Sequence, residues 1–163
     1  VDEFSRFARL PEARLELGDV DESCRQAVNL YLDRDDASFE LKLADHLPEA
    51  MLDEEQLKRV FVNIIDNAIE APRDDGESCL ITVATRHDAA RELIVIEVSD
   101  NGRGIDPADY QKLLQPYFST KGRGTGLGLA IVNRIVSEHH GKIRAVPNSP
   151  KGAKFVVEIP VQR

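Results

Sequence analysis

The densest chemistry in the chain lies between Asp100 and Leu129 (DNGRGIDPADYQKLLQPYFSTKGRGTGLGL), where two glycine clusters flank a short amphipathic segment. Gly122, Gly124, Gly126 and Gly128 alternate just before the helical pattern Leu129-Ala-Ile-Val-Asn-Arg-Ile-Val. Glycine is costly to order, so such a run suits backbone that must approach a ligand closely. Feeding a helix start, it offers free N–H groups and the positive end of a helix dipole, which suits phosphate. A second polar feature is Asn63 with Asn67, which share with Glu70 the flank of an otherwise apolar helix pattern. Asparagine competes for backbone hydrogen bonds and is a mediocre helix former. The pair either serves a ligand or faces water, and helix chemistry alone leaves both open. Arg103, Lys121 and Arg123 lie within or beside the glycines, as anion partners or as solvated loop charge.

Familiar phosphate motifs do not account for these letters. The pattern GxxxxGK[ST] is absent, and GxGxxG fails because its third glycine falls on Leu127, Leu129 or Ile131. Residues Leu114-Gln-Pro-Tyr-Phe-Ser-Thr precede the second cluster where a core strand should run into a dinucleotide loop. The usual nucleotide folds are disfavoured.

The elements that must position these groups follow from periodicity. Val1, Phe4, Phe7 and Ala8 have helical spacing up to Pro11, and Arg14–Leu17 reads as a short strand. A helix is expected over Val20–Leu32, and Phe39, Leu41 and Leu43 alternate as a strand. Asp53 with Gln56 forms a capping-box pattern for a helix running to Ala71, where Pro72 marks the exit. Leu57, Val60, Phe61, Ile64, Ile65 and Ala68 make its apolar face. Cys79–Arg86 and Glu92–Ser99 read as a hairpin delivering the chain to Asp100. Asp106-Pro107 starts a short helix, and Gly141 caps the helix that ends at His139 or His140. Strands Lys142–Val146 and Ala153–Ile159 close the chain around the turn 147–152. The expected fold is α/β, a two-layer sandwich of one mixed sheet with helices on one face.

A length of 163 residues allows one well-buried domain. With 42% apolar and 31% charged residues the composition is that of a folded globular chain. The formal net charge of −8 argues against a nucleic-acid partner or an acidic membrane surface. Cys24 and Cys79 lack metal-ligand spacing and read as reduced, partly buried thiols. No apolar run could span a bilayer. Beginning at Val1, the chain reads as a piece of a longer protein.

Together, the boxes resemble the ATP-binding domain of the GHKL superfamily: histidine kinases, type II topoisomerases, Hsp90 chaperones and MutL-type proteins. Asn63-Ile-Ile-Asp-Asn67-Ala68 is similar to its asparagine box, and Asp100-Asn-Gly102-Arg-Gly104-Ile105 to its first glycine box. Pro116-Tyr-Phe118-Ser-Thr-Lys121 resembles the phenylalanine box of histidine kinases, and Gly124-Thr-Gly126-Leu-Gly128-Leu129 the second glycine box. Gly152-Ala-Lys-Phe155 resembles the closing strand. Four boxes in family order, over roughly Val20 to Pro160, carry far more than any one.

The resemblance implies a Bergerat-type fold with ATP and Mg²⁺ as cofactors. Asp100 would accept from the adenine amino group, with Gly102, Gly104 and Ile105 close to the base. Asn67 would hold Mg²⁺. Phe118 and Lys121 would sit in a lid, and Gly124, Thr125, Gly126, Leu127, Gly128 and Leu129 would receive phosphates. ATP-hydrolysing members carry a glutamate base four residues before the magnesium asparagine. Here Asn63 stands there, so with Lys121 it is read as serving transfer rather than hydrolysis. Glu70 departs from the cation common in histidine kinases. Residues 1–11 would be the tail of a phosphoacceptor hairpin and 12–163 the catalytic domain, similar to nitrogen-regulation kinases of the NtrY and NtrB kind. His46, His87, His139 and His140 lack the acceptor setting and read as surface or capping residues. Implied partners are a dimerisation/phosphoacceptor domain and a response regulator, in a cytoplasmic portion of a homodimer. The alternatives are a protein-serine kinase of anti-sigma-factor type and a non-catalytic nucleotide-binding module.

Overall fold

The computed structural model describes residues 11–115 and 128–161. In chain order the elements are β1 (Glu16–Gly18), α1 (Val20–Asn29), β2 (Ala37–Lys42), β3 (Ala50–Leu52) and α2 (Glu54–Glu70). They continue with β4 (Cys79–Asp88), β5 (Leu93–Asp100), a 3₁₀ turn (Pro107–Asp109), α3 (Gly128–Glu138), β6 (Lys142–Pro147) and β7 (Ala153–Pro160). The expected helical tail Val1–Arg9 lies outside the described residues.

Five strands form one sheet in the order β2-β4-β5-β7-β6, while β1 and β3 pair separately. Only β2 and β4 run parallel; the other neighbours in this sheet are antiparallel. Strand period and register together place Ile81, Val83, Ile94, Ile96, Val98, Phe155, Val157 and Ile159 on one face. All of them are buried in one cluster with side chains of α1, α2 and α3. The opposite face carries ion pairs, Lys154 to Glu97 at 3.6 Å and Arg91 to Glu158 at 2.9 Å. The mixed sheet with helices on one face is thus as the sequence predicts.

The helix α2 is the spine of this core. Leu57, Phe61, Ile64 and Ile65 lose essentially all solvent contact, and each such burial contributes about 1.5–3 kcal/mol. Asp53 caps it, its Oδ1 accepting from Gln56 N at 3.1 Å. The reciprocal half of the capping box does not form. Gln56 Nε2 donates instead to Pro11 O at 2.8 Å, and Asp53 N donates to His139 Nε2 at 3.0 Å. His139 is therefore no surface residue: it is 2% exposed, and its Nδ1–H donates to Ile135 O at 2.9 Å. These two hydrogen bonds together set which ring nitrogen donates.

Two further bonds bring the entering chain to the same place. Ala13 N donates to Glu138 Oε1 and Arg14 N to Asp53 Oδ2, both at 2.9 Å. The N-terminus of α2 thus meets the C-terminus of α3, so the two helices run antiparallel.

Other boundaries shift for local reasons. Helix α1 stops at Asn29 rather than Leu32, since Leu30 and Leu32 are 57% and 62% exposed and the backbone tightens into turn bonds at Leu30 and Tyr31. The first strand is Glu16–Gly18 instead of Arg14–Leu17, paired with β3, which is too short to show alternation. At the end of α3 the left-handed residue is His140 (φ 61°), not Gly141. Gly141 is needed for space, because a Cβ there would stand 2.3 Å from Glu158 O.

Beneath α1, Thr85 Oγ1 donates to the buried carboxylate of Asp21 at 2.7 Å and accepts from Ala44 N at 2.9 Å. Burial raises the Asp21 carboxyl above 3.8, the ordinary aspartate value. The native state then holds this proton more tightly than the unfolded chain. Its contribution to stability is present below the ordinary value and lost as pH rises through the raised one. Asp21→Asn keeps the acceptor for Thr85 and removes the ionisation. Denaturant unfolding at a series of pH values should show the variant more stable near neutrality, the difference vanishing in acid; parallel profiles would refute this.

Candidate functional site

Helix period puts Asn63, Asn67 and Ala71 in line along the flank of α2, beside its buried face. Asn63 Nδ2 donates to Gly128 O at 3.2 Å, tying the helix to the first residue of α3. Asn67 Nδ2 donates to Asn63 O at 3.0 Å. With its NH₂ turned back to the helix, the amide oxygen is the end of Asn67 left for a cation.

The far end of the stripe meets the loop after β5. Gly102 lies against Ala71 and Pro72 so closely that a Cβ there would come within 3.0 Å of Ala71 Cβ. Arg103 N donates to Pro72 O at 2.8 Å. Asp100, buried at the end of β5, accepts through Oδ1 from Gly102 N at 2.8 Å and Ala153 N at 3.3 Å. Gly104 takes φ +86° and packs on the backbone of Gly152, and Ile105 packs against the core. Leu129 follows Gly128 in the first turn of α3 and borders the same core. Asn63, Asn67, Asp100, Gly102, Gly104, Ile105, Gly128 and Leu129 are therefore arrayed around the end of α2 and the start of α3. The other expected site residues, Phe118, Lys121, Gly124, Thr125, Gly126 and Leu127, lie outside the described residues.

Several supporting residues were not singled out from sequence. Arg73 donates to Ala68 O and Ala71 O at 2.9 Å and to Ile69 O at 3.2 Å, satisfying carbonyls that end α2. Its Nε donates to Asn101 Oδ1 at 2.9 Å, and Asn101 in turn bonds Ser78 O and Leu80 N. Arg73 stands three residues after Glu70, past the end of α2, where the helix dipole favours a cation. A positive residue just past the helix exit was the available signal. At the rim, Lys151 bridges Asp74 and Glu77, while Arg103 Nε reaches Asp74 at 3.2 Å. These cations hold the Asp74 carboxyl below the ordinary range, Lys151 first. All are solvent-facing, so they contribute little to stability. The two cysteines are buried and unpaired, and burial pushes both thiols up.

Among the described residues no group of three or more His, Cys, Asp or Glu is placed to hold a metal. One amide oxygen on Asn67 still fits Mg²⁺, which keeps several waters and takes the rest of its ligands from phosphate.

Residues 52–163 match the family described as histidine kinase-, DNA gyrase B-, and HSP90-like ATPase. The nitrogen regulation protein NtrY of Azorhizobium caulinodans is 36% identical over 93% of this chain and 20% of its own length. The sensor histidine kinase ZraS of Escherichia coli K12 is 34% identical over 98% of this chain and 36% of its own. The chain therefore spans between a fifth and about a third of these relatives. A crystal structure of full-length ShkA in complex with AMPPNP superposes with TM-score 0.84 at 25% identity, over 98% of this chain and 34% of that one. The nucleotide-free catalytic domain of histidine kinase ThkA gives 0.78 at 28%, over 90% of this chain and 95% of that one.

The turn behind Asp100 offers a direct test of this geometry. Gly152 sits at φ +106°, and a Cβ there would lie 1.9 Å from Asp100 O, whereas Gly76 at φ +82° has nothing within 4 Å. Gly76→Ala should cost about 1–2 kcal/mol from backbone strain alone. Gly152→Ala should cost clearly more, about 3 kcal/mol or above, since overlap adds to strain. Chemical denaturation of both variants measures the difference, and equal losses would contradict it.

Proposed function

This chain belongs to the histidine kinase-, DNA gyrase B- and HSP90-like ATPase family, and we propose that it binds Mg²⁺ and ATP and passes the γ-phosphoryl group to a histidine on a separate dimerisation domain. The P–O bond to ADP breaks, an N–P bond to the acceptor imidazole forms, and ADP leaves. The phosphohistidine then supplies a response regulator.

The carrying observation is Asn63. An amide stands where a hydrolytic relative would need a proton acceptor, and its NH₂ is engaged with Gly128 O. A neutral amide takes no proton from water. Asn63 instead ties α2 to the helix start that faces the phosphates, which supports positioning for transfer over activation of water.

Each remaining role rests on residue chemistry. Asp100, held by two backbone N–H groups, accepts from the adenine amino group. Gly102, Gly104 and Ile105 line the approach of the base. Asn67 holds Mg²⁺, which when bound neutralises phosphate charge. The N–H groups from Gly124 through Leu129 receive phosphate oxygens at the head of α3. Phe118 and Lys121 belong to the segment covering the nucleotide, with Lys121 balancing charge on the phosphoryl group in flight. Residues 12–163 are the catalytic unit in this reading, and residues 1–11 the tail of the phosphoacceptor hairpin with its linker.

Two outcomes are expected. Asn67→Ala and Asp100→Ala should each reduce ATP affinity by about 10- to 150-fold in titration calorimetry, as loss of a charge-assisted contact implies, with circular dichroism unchanged. Unaltered affinity would show that the site lies elsewhere. With labelled ATP, the chain alone should acquire no label, while an added hairpin domain carrying the acceptor histidine should be phosphorylated. Label on the chain itself would overturn the assignment of the acceptor.

A further inference from the structure

What fixes Asp100 lies largely outside the segment that contains it. The turn between β6 and β7 grips this residue at several points. Asn148 Nδ2 donates to the Asp100 carbonyl oxygen at 2.9 Å, across 48 residues of sequence. The Asn148 N–H donates to Gly152 O at 2.9 Å and closes the turn. Gly152, without a Cβ, lets its backbone press against that same carbonyl, and Ala153 N reaches the carboxylate at 3.3 Å. Main chain and side chain of Asp100 are thus held by one turn.

We propose that Asn148 is a specificity-determining positioning residue, whose amide anchors the Asp100 peptide so that the carboxylate distinguishes a purine bearing a 6-amino group from one lacking it. This rests on the reading of Asp100 as the group that accepts from the base. Asn148 itself touches no base; it acts through Asp100. A carboxylate that must discriminate by hydrogen bonding needs its direction held to within about 10–20°. The two N–H groups on Oδ1 hold one oxygen, but their direction depends on the peptide between Asp100 and Asn101 staying in place. Among the described side chains, the amide of Asn148 is the donor bonded to the carbonyl of that peptide. Gly152 leaves the space that allows the approach. Asn148 is half-buried and lies on a turn rather than in the core, so its removal deletes no apolar packing.

The test compares ATP with purine riboside triphosphate, which lacks the 6-amino group, by titration calorimetry at saturating magnesium. The unaltered chain should prefer ATP. Asn148→Ala should weaken ATP by about three- to tenfold, the effect of one hydrogen bond, and the analogue by less than about twofold. Equal weakening of both nucleotides would mark a merely structural residue and overturn the proposal, as would no weakening of either. Absence of any preference in the unaltered chain would instead bring down the reading of Asp100 and the proposal with it. Asn148→Asp has the same shape and suits a turn, but sets an acceptor against the Asp100 carbonyl. It should lose discrimination at least as far, and it carries the same test should the alanine variant unfold.

Discussion

The packing of α2 against the sheet is the constraint on which the other features depend. One face of this helix is consumed by the core through Leu57, Phe61, Ile64 and Ile65. Its flank has to present Asn63 and Asn67 at the edge of that burial. Interiors pack at crystal-like density and do not deform smoothly, so an asparagine beside such a face inherits the rigidity of its apolar neighbours. The polar groups of the candidate site are thereby placed without a dedicated scaffold. The same turns that stabilise the fold set the geometry of the site.

A second layer of support comes from residues whose contacts are with backbone. Arg73 satisfies the carbonyls where α2 ends, Asn101 knits that end to the start of β4, and the β6–β7 turn holds the Asp100 peptide. Each satisfies a hydrogen-bonding group of the main chain. Side chains bonded to main chain also keep their positions when surface residues vary, which suits a rim exposed to a ligand.

Much of this was legible in the sequence, because local periodicity and chemistry agree there. The apolar face of α2 and its asparagine flank appear in one run of letters, and the β5 strand visibly ends on Asp100-Asn-Gly. What escaped was tertiary. His139 looks like a solvent-facing cation in His-His-Gly, yet its partner Asp53 lies 86 residues away. Gln56 completes a capping box in letters, but the Asp53 N–H that it would bond is already taken by His139. Ala50-Met51-Leu52 is too short to alternate, so β3 shows no pattern. Asn148 in Pro-Asn-Ser-Pro reads as an ordinary turn residue. Nothing local announces that its amide spans to Asp100.

The attachment of Pro11, Ala13 and Arg14 carries a mechanical consequence. Their bonds reach Gln56, Glu138 and Asp53, so a displacement of this segment loads two antiparallel helices at once. Neither helix can be peeled away singly, and packed helices respond to such load by small sliding rather than bending. The His139–Asp53 bond resists that sliding at the loaded end. Toward the other end, the two helices are joined again between Asn63 and Gly128. The pair of helices is tied at two places, through Asp53 and His139 where residues 11–14 attach and through Asn63 and Gly128 at the head of α3.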